Sequence, residues 1–132
     1  GVVATNGSHG REGLKTSRTA LEKIGSGRLS GAPLTGRAVE IVRRIHTRSG
    51  GTYPIIGVGG LMSADDVRAM LDAGADLVQL YTGYIYEGPG LVRDVCRALI
   101  ADAERKATRT APEVASDAGE TSGKPQDSAP NA

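Results

Sequence analysis

The run YPIIGVGG, Tyr53–Gly60, decides how this chain is read. Ile55 and Ile56 stand side by side instead of alternating with polar residues. That suits a strand covered on both faces, as in a parallel sheet. Gly59 and Gly60 then leave the backbone bare just past the strand's end. Three needs call for such a backbone: a bound phosphate, a tight turn, or close packing. The next residues turn the chain into a helix. Ser63 is an N-cap residue, and Asp66, three positions on, resembles a capping box. Val67, Met70 and Leu71 form an apolar stripe, and Gly74 suits the position just past the helix end.

Outward from this unit the pattern repeats. Upstream, Ala38, Ile41, Val42 and Ile45 recur at helical spacing and predict a helix over 35–47, with Arg37, Glu40, Arg43 and Arg44 facing out. Gly50 and Gly51 stop it. Further upstream, GVVAT (Gly1–Thr5) predicts a buried strand. A long glycine- and serine-bearing connection separates the two. Downstream, DLVQL (Asp76–Leu80) predicts a strand, YTGYIYEG (81–88) a loop, and Pro89 opens a last helix. Leu91, Val92, Val95, Leu99 and Ile100 form its apolar side. From Ala107 the chain lacks any apolar period and is rich in Ala, Ser, Thr, Pro and acidic residues, so 107–132 is expected to be a disordered tail behind a folded part of 1–106.

Strand and helix alternating with short connections imply an α/β fold with a parallel sheet. Three units cannot close a barrel, and both outer strands expose unpaired edges. The chain is either a piece of a larger (β/α) protein or a small open sheet. It opens on a strand without an initiator Met, which favours the piece.

Composition narrows the function classes. The 132 residues carry a formal net charge of +1, which gives no reason to expect nucleic acid as a partner. Aromatic content is 3%, with no Trp or Phe, so a base-stacking platform is not expected. One cysteine, Cys96, allows no internal disulfide and fits a reducing compartment; mid-helix, it reads as a packing residue. No apolar run approaches the roughly 20 residues of a membrane-spanning helix, and no secretory signal opens the chain.

GVGGLM is not a dinucleotide fingerprint, which would need glycine at Met62, and no Gly-Lys-Ser/Thr follows to make a P-loop. Gly59 and Gly60 nevertheless lie where (β/α)₈ barrels bind ligands, and phosphates favour the loops after the last two strands. At the next strand end, Thr82 offers a hydroxyl and an N–H, and Gly83 leaves room. At the first strand end, the Asn6 amide donates and accepts together, which suits a planar heterocycle; the plainer reading is a turn residue. Ser30 and Gly31 lie in a loop that either folds over a ligand or merely links. His9 and His46 lack metal-ligand spacing, and no nucleophile comes with a base motif. No metal ligand and no catalytic residue is assigned.

Together, VVATN, RLSGAPL, PIIGVGGLMSADD and LVQLYTGYIYEGPGLVRDV strongly resemble the C-terminal part of the dihydroorotate dehydrogenases, most closely class 2, the quinone-dependent, membrane-associated flavoproteins. The resemblance covers about residues 1–103. It implies strands six to eight, with their helices, of a TIM (β/α)₈ barrel holding FMN, in an enzyme that oxidises dihydroorotate to orotate in UMP biosynthesis. It implies that Thr5, Gly31, Gly59, Gly60, Tyr81 and Thr82 contact FMN, the last four at its phosphate. It implies that Asn6 and Gly7 meet dihydroorotate or orotate.

Two positions depart from the family pattern. The family usually reads TNTT where this chain has TNGS, so Gly7 lacks a hydroxyl expected at the substrate. The family usually reads GGLSG where this chain has GRLSG, so Arg28 brings a long cation to a loop built for close approach. It either pairs with a ligand anion or marks relaxed constraint. The family's catalytic serine, a flavin-contacting lysine and the helices that meet membrane and quinone fall outside the matching residues. Two alternatives stand beside this reading: another FMN- or phosphate-binding barrel such as class 1 dihydroorotate dehydrogenase, and a non-catalytic half-barrel.

Overall fold

The computed structural model describes residues 1–110. Three strands, β1 (Val2–Ala4), β2 (Ile55–Val58) and β3 (Leu77–Gln79), form one sheet in the order β1-β2-β3. Both pairings are parallel, as expected. The helices are α1 (Arg18–Ile24), α2 (Thr35–Arg48), α3 (Ala64–Asp72), α4 (Thr82–Glu87) and α5 (Pro89–Thr110), and a single 3₁₀ turn at Ala32–Leu34 leads into α2.

The register sorts the strand residues by face. Val2, Ala4, Ile55, Gly57 and Val78 turn towards the helices, where Ile55 is fully buried among Ala38, Val42, Val67 and Met70. Gly57 is needed here because a Cβ would run into the Met70 side chain and lie 3.1 Å from Ala75 Cβ. The opposite face is bare. Val3 pairs with Ile56 and Ile56 with Leu77, so three apolar side chains form a row across it. Val3 is 56% and Leu77 63% exposed. Ile56 is therefore only half-buried, because nothing among the described residues covers that face.

Helices covering one face of a parallel sheet, with an apolar row on the other, are the arrangement of a barrel wall: the inner face of each strand packs against strands across the barrel. The described residues are three successive β/α units of such a (β/α)₈ barrel, in keeping with the part of the barrel that the resemblance implies.

Local signals explain the helices. The Ser63 hydroxyl accepts from Asp66 N at 3.2 Å, and the Asp66 carboxylate accepts from Met62 N at 3.0 Å, closing a box around the start of α3. Gly74, with φ of 104°, takes the left-handed position past its end. Arg68 Nε then donates to Asp102 at 2.6 Å, tying α3 to α5.

Several expectations change. The stretch expected to be a loop, 81–88, contains α4, and α1 lies in the long connection. Val92 and Ile100 are exposed; the buried side of α5 is Leu91 and Val95, with Leu99 half-buried. Cys96 is exposed, so it is not a packing residue. Helix α5 runs on to Thr110, past the expected boundary at 106; the rest of the expected tail, 111–132, lies outside the described residues. Among the described residues no helix is long and apolar enough to cross a membrane, and no acidic, histidine or cysteine side chains cluster as a metal site.

Candidate functional site

The C-terminal ends of the three strands open into a cleft of about 390 Å³. Thr5, Asn6, Gly7, Gly31, Gly59, Gly60, Tyr81 and Thr82 all line it. They come from four separate loops. What draws them together is a set of short contacts that the glycines permit.

Gly59 and Gly60 settle the question raised by the bare backbone. Both have positive φ, 127° and 76°. A Cβ on Gly60 would lie 2.5 Å from the Thr35 backbone N, and one on Gly59 would lie 2.9 Å from Thr5 Oγ1. Turn geometry and packing against the start of α2 thus both demand glycine here, whatever else binds. The packing is fixed by hydrogen bonds. Thr35 Oγ1 donates to the Gly60 carbonyl at 2.6 Å, and Thr5 N donates to the Val58 carbonyl at 2.6 Å. The Thr5 hydroxyl reaches the same Val58 carbonyl at 3.2 Å.

The 28–31 loop crosses the cleft. At one end Ser8 and Leu29 exchange two backbone hydrogen bonds, of 3.0 and 2.7 Å. At the other, a Cβ on Gly31, whose φ is 85°, would lie 3.1 Å from Thr82 Cγ2. Gly83 packs so closely on the Leu61 carbonyl that no side chain fits, which seats α4 against the GVGG loop. Among the described residues, the N–H groups of Gly59, Gly60, Tyr81 and Thr82 have no hydrogen-bond partner. Such donors, in a wall free of acidic side chains, suit phosphate oxygens.

Asn6 is already half committed. Its Oδ1 accepts from Gly7 N at 2.7 Å, which fixes the amide; the side-chain NH₂ and the second Oδ1 lone pair are left to present to a ligand. Leu34 and Gln79 line the cleft and Thr35 supports it, although the motifs that contain the first two gave them no role; a threonine at a helix start facing a glycine-rich loop is the one signal that marks Thr35. His9 and His46 lie outside the cleft, and His46 packs against Gly51 and Gly74.

The model of the dihydroorotate dehydrogenase family matches residues 1–102. The chain belongs to the dihydroorotate dehydrogenase family. Among curated relatives, it is 50% identical over 112 residues to a dihydroorotate dehydrogenase (quinone) of Thermosynechococcus vestitus, covering 80% of this chain and 30% of that one. It is 49% identical over 100 residues to the protein of the same name from Christiangramia forsetii, covering 76% and 28%. Its fold superposes on the crystal structure of the dihydroorotate dehydrogenase of Eimeria tenella in complex with ferulenol, with a TM-score of 0.70 at 30% identity, over 82% of this chain and 28% of that one. The chain thus spans under a third of the length of these dihydroorotate dehydrogenases. It matches relatives of the quinone type, as the sequence motifs led one to expect.

Proposed function

We propose that this chain forms the C-terminal part of a quinone-dependent dihydroorotate dehydrogenase and supplies one wall of its FMN and substrate sites. The observation that carries the reading is the cleft. Eight residues singled out in four separate motifs converge on one opening at the C-terminal ends of parallel strands, the ligand-binding end of a (β/α)₈ barrel.

FMN fits the donor set, and when bound it supplies a hydride acceptor. The chain's own residues hold and orient. The unpartnered N–H groups of Gly59, Gly60, Tyr81 and Thr82 receive the phosphate, and Gly31 lets the crossing loop approach without a side chain in the way. Thr5 is fixed by its bonds to Val58 and borders the flavin. The Asn6 NH₂, set by the bond from Gly7 N to Oδ1, donates to dihydroorotate or orotate. None of these groups is assigned the base that removes the substrate proton. Quinone reduction and membrane association belong to other parts of the enzyme.

The test is direct. The full-length protein that contains this chain should purify yellow, with one FMN per chain, and reduce a quinone analogue with dihydroorotate as donor. A colourless protein inert to dihydroorotate would refute the proposal.

A further inference from the structure

We propose that Arg28 is a specificity-determining residue of the cleft, binding the carboxylate of the substrate beside Asn6. The inference rests on the dihydroorotate dehydrogenase reading above and goes beyond it by assigning a role to a residue at which the chain departs from its family's pattern.

Three observations support it. The first is charge. Arg28 is the one charged side chain lining the cleft among the described residues, and no carboxylate there neutralises it. The second is positioning. Arg28 Nη1 donates to the Gly7 carbonyl at 3.2 Å, which holds the guanidinium over the Asn6–Gly7 turn. A guanidinium has five N–H donors in a planar fork, and no other acceptor for Arg28 exists among the described residues. A planar fork with unused donors matches a carboxylate. Its neighbour Asn6 adds a side-chain NH₂, with Oδ1 accepting from Gly7 N. This end of the cleft thus sets a cation beside an amide donor with no carboxylate in the lining, which is complementary to an anion.

The third observation is that a side chain at position 7 and one at position 28 exclude each other. Gly7 does not have the left-handed φ that would require glycine. It needs glycine for space: a Cβ would lie 2.8 Å from Arg28 Cβ and 3.0 Å from the Leu29 carbonyl oxygen. Arg28 Cβ cannot swing away, because the Ser8–Leu29 bridge pins both segments. Glycine at position 7 thus leaves the room that the Arg28 side chain occupies.

An anion at this edge has two possible sources, the substrate carboxylate and the flavin phosphate. The backbone donors of Gly59, Gly60, Tyr81 and Thr82 already suit the phosphate, and Arg28 sits at the opposite end of the crossing loop from Thr82. The proposal therefore commits to the carboxylate.

The experiment uses the full-length holoenzyme titrated with orotate, read from the flavin absorbance spectrum, with flavin content measured in parallel. Arg28→Met, which keeps the stem and removes the charge, should raise the orotate Kd about tenfold and leave the flavin content unchanged. Raising the salt concentration should weaken orotate binding more in the unsubstituted enzyme than in Arg28→Met. Unchanged orotate affinity overturns the inference, as does flavin loss at unchanged orotate affinity. If the unsubstituted holoenzyme binds flavin but not orotate, the substrate reading fails and this inference falls with it. Thermal melts test the pairing separately. Gly7→Thr alone should lower Tm, and Arg28→Gly in the same chain should restore most of the loss; additive effects overturn the pairing.

Discussion

Thr35 at the start of α2 holds the Gly60 carbonyl 2.6 Å from its hydroxyl, so the helix following one strand clamps the loop following the next. The clamp sets the direction in which the neighbouring N–H groups face. Thr35→Val keeps the shape and removes the donor. It should cost about 1 kcal/mol of stability and weaken flavin retention, whereas Thr35→Ser should keep both. Urea unfolding and flavin content of the full-length protein give the two readings. Equal flavin retention in Val and Ser variants would count against the clamp.

Gly60→Ala tests the same junction from the other side. Its φ of 76° alone costs a non-glycine residue about 1–3 kcal/mol, and the added Cβ meets Thr35. The substitution should destabilise the protein by at least that amount and abolish flavin binding. A variant that melts normally would show that the loop can move away from α2.

Gly57 and Met70 form a complementary pair across the sheet–helix interface. Met70 is fully buried. Met70→Ala should cost about 2–5 kcal/mol as a cavity opens, and Gly57→Ala about 1–3 kcal/mol through overpacking. The double variant should lose less than the sum, because the new Cβ occupies space that Met70 vacates. A double-mutant cycle with no coupling would argue against this packing.

Asp102 carries a pH signature. Hydrogen bonding to Arg68 is the main cause that holds its carboxyl below the usual carboxylate range, with charge contributions from Arg68 and Arg105. A carboxylate lowered in the folded state stabilises fully above its unfolded pKa, about 3.9, and loses that contribution as pH falls through the lower folded value. Asp102→Asn should therefore reduce stability at neutral pH and flatten the fall in stability below about pH 4. Parallel melting curves from pH 7 down to acid for both proteins check the slope.

The row Val3–Ile56–Leu77 predicts the behaviour of the 132-residue chain on its own. With this face uncovered, the isolated chain should bind a hydrophobic dye, self-associate and show no dehydrogenase activity. Placing lysine at Val3 and Leu77 should reduce dye binding and association. A monomeric, dye-silent isolated chain with a cooperative melt would contradict the barrel-wall reading.

Much of this was legible in the residues. The stripe of Ala38 and Val42, the box of Ser63 and Asp66, and the glycine at 74 each act within a few residues, and each stands as read. What escaped detection lacks such a local signal. Helix α4 exposes Tyr84, Ile85 and Tyr86, so no apolar stripe marks it. Helix α1 buries no residue, and only its Ser17 cap betrays it. Ile56 is indistinguishable from Ile55 in sequence, because a barrel's inner face is as apolar as its outer one. The cleft was legible through the ordered motifs and not through spacing. Gly59 and Gly60 looked ambiguous because turn, packing and cleft lining are all served there at once.

The close approach of positions 7 and 28 also limits how this turn can be redesigned. Of the four combinations made by threonine or glycine at 7 with glycine or arginine at 28, the one with both side chains brings two Cβ atoms to 2.8 Å. A hydroxyl at 7 and a cation at 28 therefore compete for one volume, and a library that varies the two positions must vary them together.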